Sequence, residues 1–245
     1  MAKYPRIRPV GLSGLLVQFG AGMSEPANRA ALAFRAAVDE QNWAEVCETS
    51  TSLVSTFISA DLVSAPPERL IEQLQDLLLS RDWYKAELPA GRSLWEIPTL
   101  YGTQAAPQLE EAAEAAGVSP QQAITELSSA RVRVLTIGFA PGQPYTGELP
   151  PHWDIPRQQA LSKSVPAGAL VVAIRQLIIF TNATPTGWRH VGQTAFRTFR
   201  PESDTPIALS PGDEMCFPAV TAAEYAQIEQ RDTSGNGGAQ RRVLA

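Results

Sequence analysis

Histidine and cysteine are scarce, with two of each in 245 residues. A zinc centre draws on His and Cys at short, fixed spacings. His152 and His190 are too few and too far apart to form one, so no metal site is expected. Cys47 and Cys216 sit in apolar, strand-like runs and read as small core residues, unpaired in a reducing compartment. A nucleophilic cysteine needs a neighbouring base, and the sequence places none beside either. Positive charge is also in deficit: 20 Lys and Arg face 25 Asp and Glu, a net charge of −5 and a pI of about 5.2. Nucleic-acid binding leans on a dense basic surface, so that class is excluded. No apolar run approaches the roughly 20 residues of a membrane span. The opening MAKYPRIRPV lacks the apolar stretch of a secretion signal. The expectation is a cytoplasmic protein without membrane or nucleic-acid partners. Nucleotide and hydrolase signatures are missing too. The word GAGMSEP at 20–26 has neither dinucleotide-fold nor P-loop spacing, and no His stands near a GxSxG word. No pair of carboxylates is placed by spacing alone.

What is present supports a sizeable core, because 44% of residues are hydrophobic and only 18% charged. Residues 14–19 form an apolar run suited to a strand, broken at Gly20 to Gly22. Ser24 before Glu25-Pro26 is a helix start, and Ala27, Ala30, Ala31, Phe34 and Val38 continue a helical stripe to 40. Strand-like runs follow at 43–49 and 52–59. Leu70, Ile71, Leu74, Leu77 and Leu78 then predict a helix over 66–81. With a strand at 93–101 the order is β-α-β-β-α-β, a split ferredoxin-like unit. Helices are expected at 107–116, stopped by Gly117, and at 120–129, capped by Ser119.

From Val132 the texture changes. Short apolar runs at 132–138, 169–174, 177–181, 194–199 and 214–217 alternate with Pro- and Gly-rich turns, the pattern of a compact β-barrel or sandwich. Residues 221–231 suggest a last helical turn or two, and 232–245 have a flexible composition.

The second half carries an ordered series of words: Gly138-Phe139-Ala140-Pro141-Gly142, Pro144-Tyr145, Ile155-Pro156-Arg157 and Val165-Pro166-Ala167-Gly168. Gln176, Pro185-Thr186-Gly187-Trp188, Val191-Gly192-Gln193-Thr194, Pro211-Gly212-Asp213 and Phe217 continue it. In this order the chain resembles the family of the 5-oxoprolinase B-subunit and allophanate hydrolase subunit 1 over roughly residues 5–220, as a divergent member. The resemblance implies an α+β fold: a ferredoxin-like domain with linker at 1–101, a cyclophilin-like β-barrel at 102–220 preceded by two short helices, and a flexible tail at 221–245. It also implies a larger partner subunit, similar to the 5-oxoprolinase C-subunit or allophanate hydrolase subunit 2, and ATP as the cofactor. The chain departs from the family pattern at Leu127, where a His is usual, and at Val132 in place of a Tyr. Gln143 replaces an aromatic, and Leu161-Ser162 replaces a second Pro-Arg pair. Gly and Pro positions are kept while several polar ones are lost.

Five residues are candidate substrate-binding groups. Arg157, after Pro156, offers a planar cation to a carboxylate or phosphate. Gln176 sits between apolar strand residues and either bonds a neighbouring strand or faces a pocket. Gln143, in the turn beside Tyr145, could match the donor and acceptor of a small amide; the alternative is an exposed turn residue. Tyr145 and Trp188, on loops, could wall a cleft or meet a partner. Other polar positions read as structural: His190 as a surface or half-buried residue, Asp213 as a turn former, and the acidic face Glu110, Glu111 and Glu114 as solvated. Catalytic residues are not identified. Two functions are open: a subunit of an ATP-dependent hydrolase of a small lactam or ureido acid, and a noncatalytic regulatory protein resembling a histidine-kinase inhibitor.

Overall fold

The computed structural model describes residues 4–62 and 66–244, which divide into two compact units at Ala90/Gly91. The first three residues of the opening segment and Ala245 of the tail lie outside the described residues.

In the first unit, strands β1 (Arg6–Val10) and β2 (Gly14–Gln18) precede helix α1 (Glu25–Gln41), and β3 (Val46–Ser52) and β4 (Ser55–Ala60) precede α2 (Pro67–Leu79). The sheet order is β1-β2-β4-β3, antiparallel throughout. Alternation puts Leu15 and Val17 of β2, and Ile58 and Ala60 of β4, into a core with Phe34 of α1 and Leu70 and Leu74 of α2. The Ser24 hydroxyl accepts the Ala27 N–H at 3.4 Å, the N-cap expected from sequence. The split ferredoxin-like order needs correction. Residues 93–101 are not the closing strand here; β1 occupies the position beside β2. Arg6–Val10 gives little strand signal because it alternates charges with a proline and buries little, as edge strands do.

In the second unit, β5 (Ser93–Glu96) and β6 (Leu100–Tyr101) precede α3 (Leu109–Ala116) and α4 (Pro120–Ser129). Then come β7 (Val132–Ile137), β8 (Pro144–Gly147), β9 (Ser162–Val165), β10 (Ala169–Ala173), β11 (Gln176–Ile179), β12 (Thr184–Thr186), β13 (Arg189–Gln193) and β14 (Glu214–Cys216). The chain finishes with α5 (Ala222–Arg231) and β15 (Gln240–Val243). Nine strands share one sheet in the order β15-β5-β14-β7-β8-β11-β10-β13-β6, and β12 pairs with β9 as a separate ribbon.

Segment 93–101 curls this sheet. Its first half pairs with β14 and its last two residues pair with β13, so one stretch of chain contributes to both ends. Between them Ile97 N–H donates to Cys216 C=O and Thr99 N–H to Pro218 C=O, both at 2.9 Å. Gly192 makes the junction possible, since a Cβ there would lie 2.6 Å from Thr99 Cγ2. The inner face packs Leu170, Val172, Leu177, Ile179 and Val191 against Trp95, Trp153, Phe196 and Phe217, with α3 and α4 covering. Leu127 and Val132, two of the departures from the family pattern, are fully buried in this core.

Several expectations fall to non-local pairing. The strand expected at 194–199 is β13 instead, where Arg189 and His190 are buried in spite of their polarity. The flexible tail is ordered: Thr221 and Glu224 form a reciprocal capping box on α5, and β15 pairs with β5. Cys47 is exposed on the outward side of edge strand β3, not buried, and Cys216 is half-buried; both are free thiols. Glu111 is not merely solvated, since it accepts from Arg189 Nε at 3.0 Å. Among the described residues no helix is long and apolar enough to cross a membrane.

Candidate functional site

β10 and β11 are buried on both faces. Leu170, Val172, Leu177 and Ile179 point inward, while Ala169, Val171, Ala173, Ile178 and Phe180 form a second cluster on the outer face with Val165 and Trp188. Antiparallel sheets often leave such a face to water. Here the covering is incomplete and leaves a cleft of about 280 Å³. Gln143, Tyr145, Arg157 and Trp188 all line it, so four of the five candidate residues come together.

Their surroundings differ from the sequence reading. Tyr145 lies within β8, paired with Ile178 of β11, not on a loop. Trp188 directly precedes β13 and is 5% exposed. Their rings meet edge to face with centroids 6.5 Å apart. Gln143 is 1% exposed, so the exposed-turn reading of it is wrong. The turn holds it by the backbone: Gln143 N–H donates to Ala140 C=O, and Gly138 N–H to Gln143 C=O, both at 3.1 Å. Its side-chain Oε1 is buried and has no partner among the described residues. Phe139, at the cleft edge, holds a left-handed φ of 71° and is 77% exposed. A bulky side chain in that region carries backbone strain, a feature that clusters at binding sites.

Arg157 lies with its Cζ 5.1 Å from the centroid of the Trp188 ring, a cation–π contact. Among the described residues no carboxylate pairs with it. Its loop is fastened from both sides. Gln158 N–H donates to Gly187 C=O at 2.7 Å, and Gln158 Nε2 to Trp188 C=O at 3.1 Å. Gln108 Nε2 donates to Gln158 Oε1 at 2.8 Å, and Arg189 donates to Pro156 C=O at 2.7 Å. Gln108 and Gln158 are not foreseen from the sequence. Exposed-looking glutamines in loops carry no periodic signal, and their roles depend on partners far along the chain. Gln176 falls outside the cleft. It shares the face of Ile178 and Phe180 but begins β11 at the hairpin end, beside Gly147.

A second hollow, about 350 Å³, lies between α5 and the segment 193–197. Its ionised rim is largely committed. Arg197 pairs with Glu202, and the Asp232 carboxylate accepts from Ser234, Asn236 and Gly237. Tyr225 in its wall is pushed up to about 12, by burial first and then by Glu229. The second hollow shares one feature with the cleft, since the buried Gln193 Oε1 in its lining also has no partner among the described residues. What distinguishes the cleft on the outer face is an arginine without a carboxylate partner among the described residues, set over an aromatic ring.

His190 lies in β13, 4% exposed, with Nε2 unpartnered among the described residues, which corrects the surface reading. Burial holds its pKa below the ordinary value. The unfolded chain therefore binds the proton first as pH falls. The stabilisation is complete above the ordinary histidine range, about 6.5, and is lost as pH drops through and below it. Melting temperature should fall more steeply between about pH 7.5 and about pH 5.5 in the parent than in His190→Gln. Parallel curves would contradict this.

The fold and cleft define a two-unit α/β protein with a ligand-sized, cation-edged cleft on a curled sheet. The family described as carboxyltransferase domain, subdomain C and D, matches residues 5–209, and the chain belongs to it. It is 27% identical over 230 residues to the 5-oxoprolinase B-subunit of Bacillus subtilis (strain 168), covering 90% of this chain and 95% of that one. A protein of the same name from Escherichia coli O157:H7 is 38% identical over 141 residues, 57% of this chain and 64% of the relative. Among solved structures, TTHA0988 matches with a TM-score of 0.71 at 28% identity, covering 89% of this chain but 40% of that one. The urea amidolyase of K. lactis matches with a TM-score of 0.69 over 97% of this chain and 16% of that one; at 17% identity the likeness is one of fold. The chain thus spans almost all of the Bacillus relative and well under half of TTHA0988.

Proposed function

We infer that this chain is a subunit of a hetero-oligomeric, ATP-dependent hydrolase of a small lactam or ureido acid, and that its cleft holds the ligand with Arg157 on the acid. One observation carries the reading: an arginine without a carboxylate partner among the described residues lies over the Trp188 ring in a ligand-sized cleft that a buried amide also lines. A planar guanidinium suits a carboxylate, and the contact with the Trp188 ring holds the charge at the cleft. The name shared by the Bacillus and Escherichia relatives, the B-subunit of 5-oxoprolinase, supports a multi-subunit system.

The lining also limits what this chain does. Apart from Tyr145 and Arg157 it has no titratable group among the described residues, and it holds no carboxylate, histidine or thiol to move a proton. This subunit therefore binds and orients, while the larger partner, similar to the 5-oxoprolinase C-subunit or allophanate hydrolase subunit 2, brings the reacting groups. ATP does not fit here. A triphosphate calls for a glycine-rich cradle or several cations, and the cleft offers one arginine. Nucleotide binding is assigned to the partner.

A noncatalytic regulatory role is the second reading, favoured by the exposure of Phe139 and Leu161 on the cleft rim, 77% and 67%. Co-expression with the larger subunit separates the two. Co-elution on size exclusion, with ATP turnover that depends on added lactam or ureido acid, is expected. Absence of both a complex and turnover would remove the hydrolase reading and leave the regulatory one.

A further inference from the structure

We propose that the side-chain amide of Gln143 is the specificity group of the cleft, pairing edge to edge with a ligand amide held cis. This rests on the reading of the cleft as a carboxylate-binding site.

Gln143 is 1% exposed, yet it lines the cleft, and its Oε1 has no partner among the described residues. A buried carbonyl left unmatched is costly, so a ligand that matches it gains affinity over one that does not. The group cannot easily turn away to find another partner. Its backbone is bonded on both sides in the 138–143 turn, and Gly142 lies against Thr198, where a Cβ would come 2.6 Å from Thr198 C=O. Ile178, Phe180 and the rings of Tyr145 and Trp188 supply the apolar part of the lining around it, where a hydrogen bond is stronger than in open water.

A primary carboxamide presents an acceptor and a donor on one edge. Its complement is a group that also presents N–H and C=O on one edge. A lactam does so because its ring locks the amide cis, and a ureido group does so through its terminal NH2 and carbonyl. An ordinary secondary amide or peptide bond is trans and turns the two groups to opposite sides. A lactone keeps the carbonyl but loses the N–H. The cleft therefore selects cyclic amides and ureido groups over peptides and esters, and Arg157 at its other edge selects those bearing an acid. The pairing holds whichever way round the Gln143 amide lies, because the ligand edge can be met in either sense.

The test is titration calorimetry on the full chain, alone and with its co-expressed partner. The probes are a five-membered lactam carboxylate and the lactone carboxylate of the same frame. The unaltered chain should bind the lactam about tenfold more tightly or better, the scale of one lost hydrogen bond to a built polar site. Gln143→Met, close in shape and without amide groups, should bring the two ligands to within about twofold by the same reasoning. Gln143→Glu, which when ionised only accepts, should shift preference to a protonated cyclic amidine bearing a carboxylate, whose amidinium edge carries two donors. Both variants should melt close to the parent; if one does not fold, the other decides. Equal binding of lactam and lactone by the unaltered chain, or discrimination kept in Gln143→Met, overturns the specificity role while leaving the carboxylate site standing. Failure of the unaltered chain to bind either carboxylate, alone or in complex, overturns the reading of the cleft itself and this proposal with it.

Discussion

Asp213→Ala should destabilise the second unit by about 3–5 kcal/mol, seen as a fall of roughly 10 °C in its melting temperature. Asp213 is 4% exposed. One carboxylate oxygen accepts the Ser93 N–H at 2.7 Å; the other accepts Trp95 Nε1–H at 3.3 Å and the Ser210 N–H at 3.0 Å. Hydrogen bonds to a charged group contribute about 1.5–3 kcal/mol each, and donors left behind in a buried place cost more than the bonds alone. The expected turn is present as well, with Asp213 N–H donating to Ser210 C=O at 3.0 Å. The larger role is to hold β5, and so the segment that curls the sheet, against the start of β14. Asp213→Asn tests the mechanism. Its NH2 group must face one set of donors, so an intermediate loss is expected. A melting temperature equal to the parent's in Asp213→Ala would show that water replaces the carboxylate without cost.

Arg157→Ala should weaken binding of a small lactam carboxylate by roughly 10- to 100-fold, the equivalent of one charge-assisted pair. It should move the melting temperature by no more than about 2 °C, because an exposed side chain whose neighbours hold each other contributes little to folding. The loop around it is fixed by Gln158, Gln108 and Arg189, not by Arg157 itself. Arg157→Lys should fall between, keeping a charge but losing the planar fork that pairs with a carboxylate. Calorimetry and thermal melting on the same samples separate the outcomes. Unchanged affinity would end the assignment of Arg157 to the ligand acid, and a large drop in melting temperature would make it structural.

The helices are legible in the sequence because their signals are local. Ser24, Ser119 and Gly117 act as the caps their positions announce. The ordered glycines, prolines and aromatics of the second half also mark the family. The candidate site is legible in part. Arg157, Tyr145, Trp188 and Gln143 are gathered into one cleft, because Tyr145 of β8 and the segments carrying the other three meet over Ile178 of β11. Gln176 falls elsewhere because a polar residue in a strand announces a face but not a distance along it.

Where helices start and stop, and which residues punctuate the second half, can be read from neighbouring residues alone, since caps and turns are settled within a few residues. That 93–101 joins the second sheet, that the tail pairs with it, and that Gln143 and His190 are buried while Cys47 is not emerge from the assembled fold. Strand pairing and burial are fixed by partners tens to more than a hundred residues away, and no local pattern encodes which partner wins.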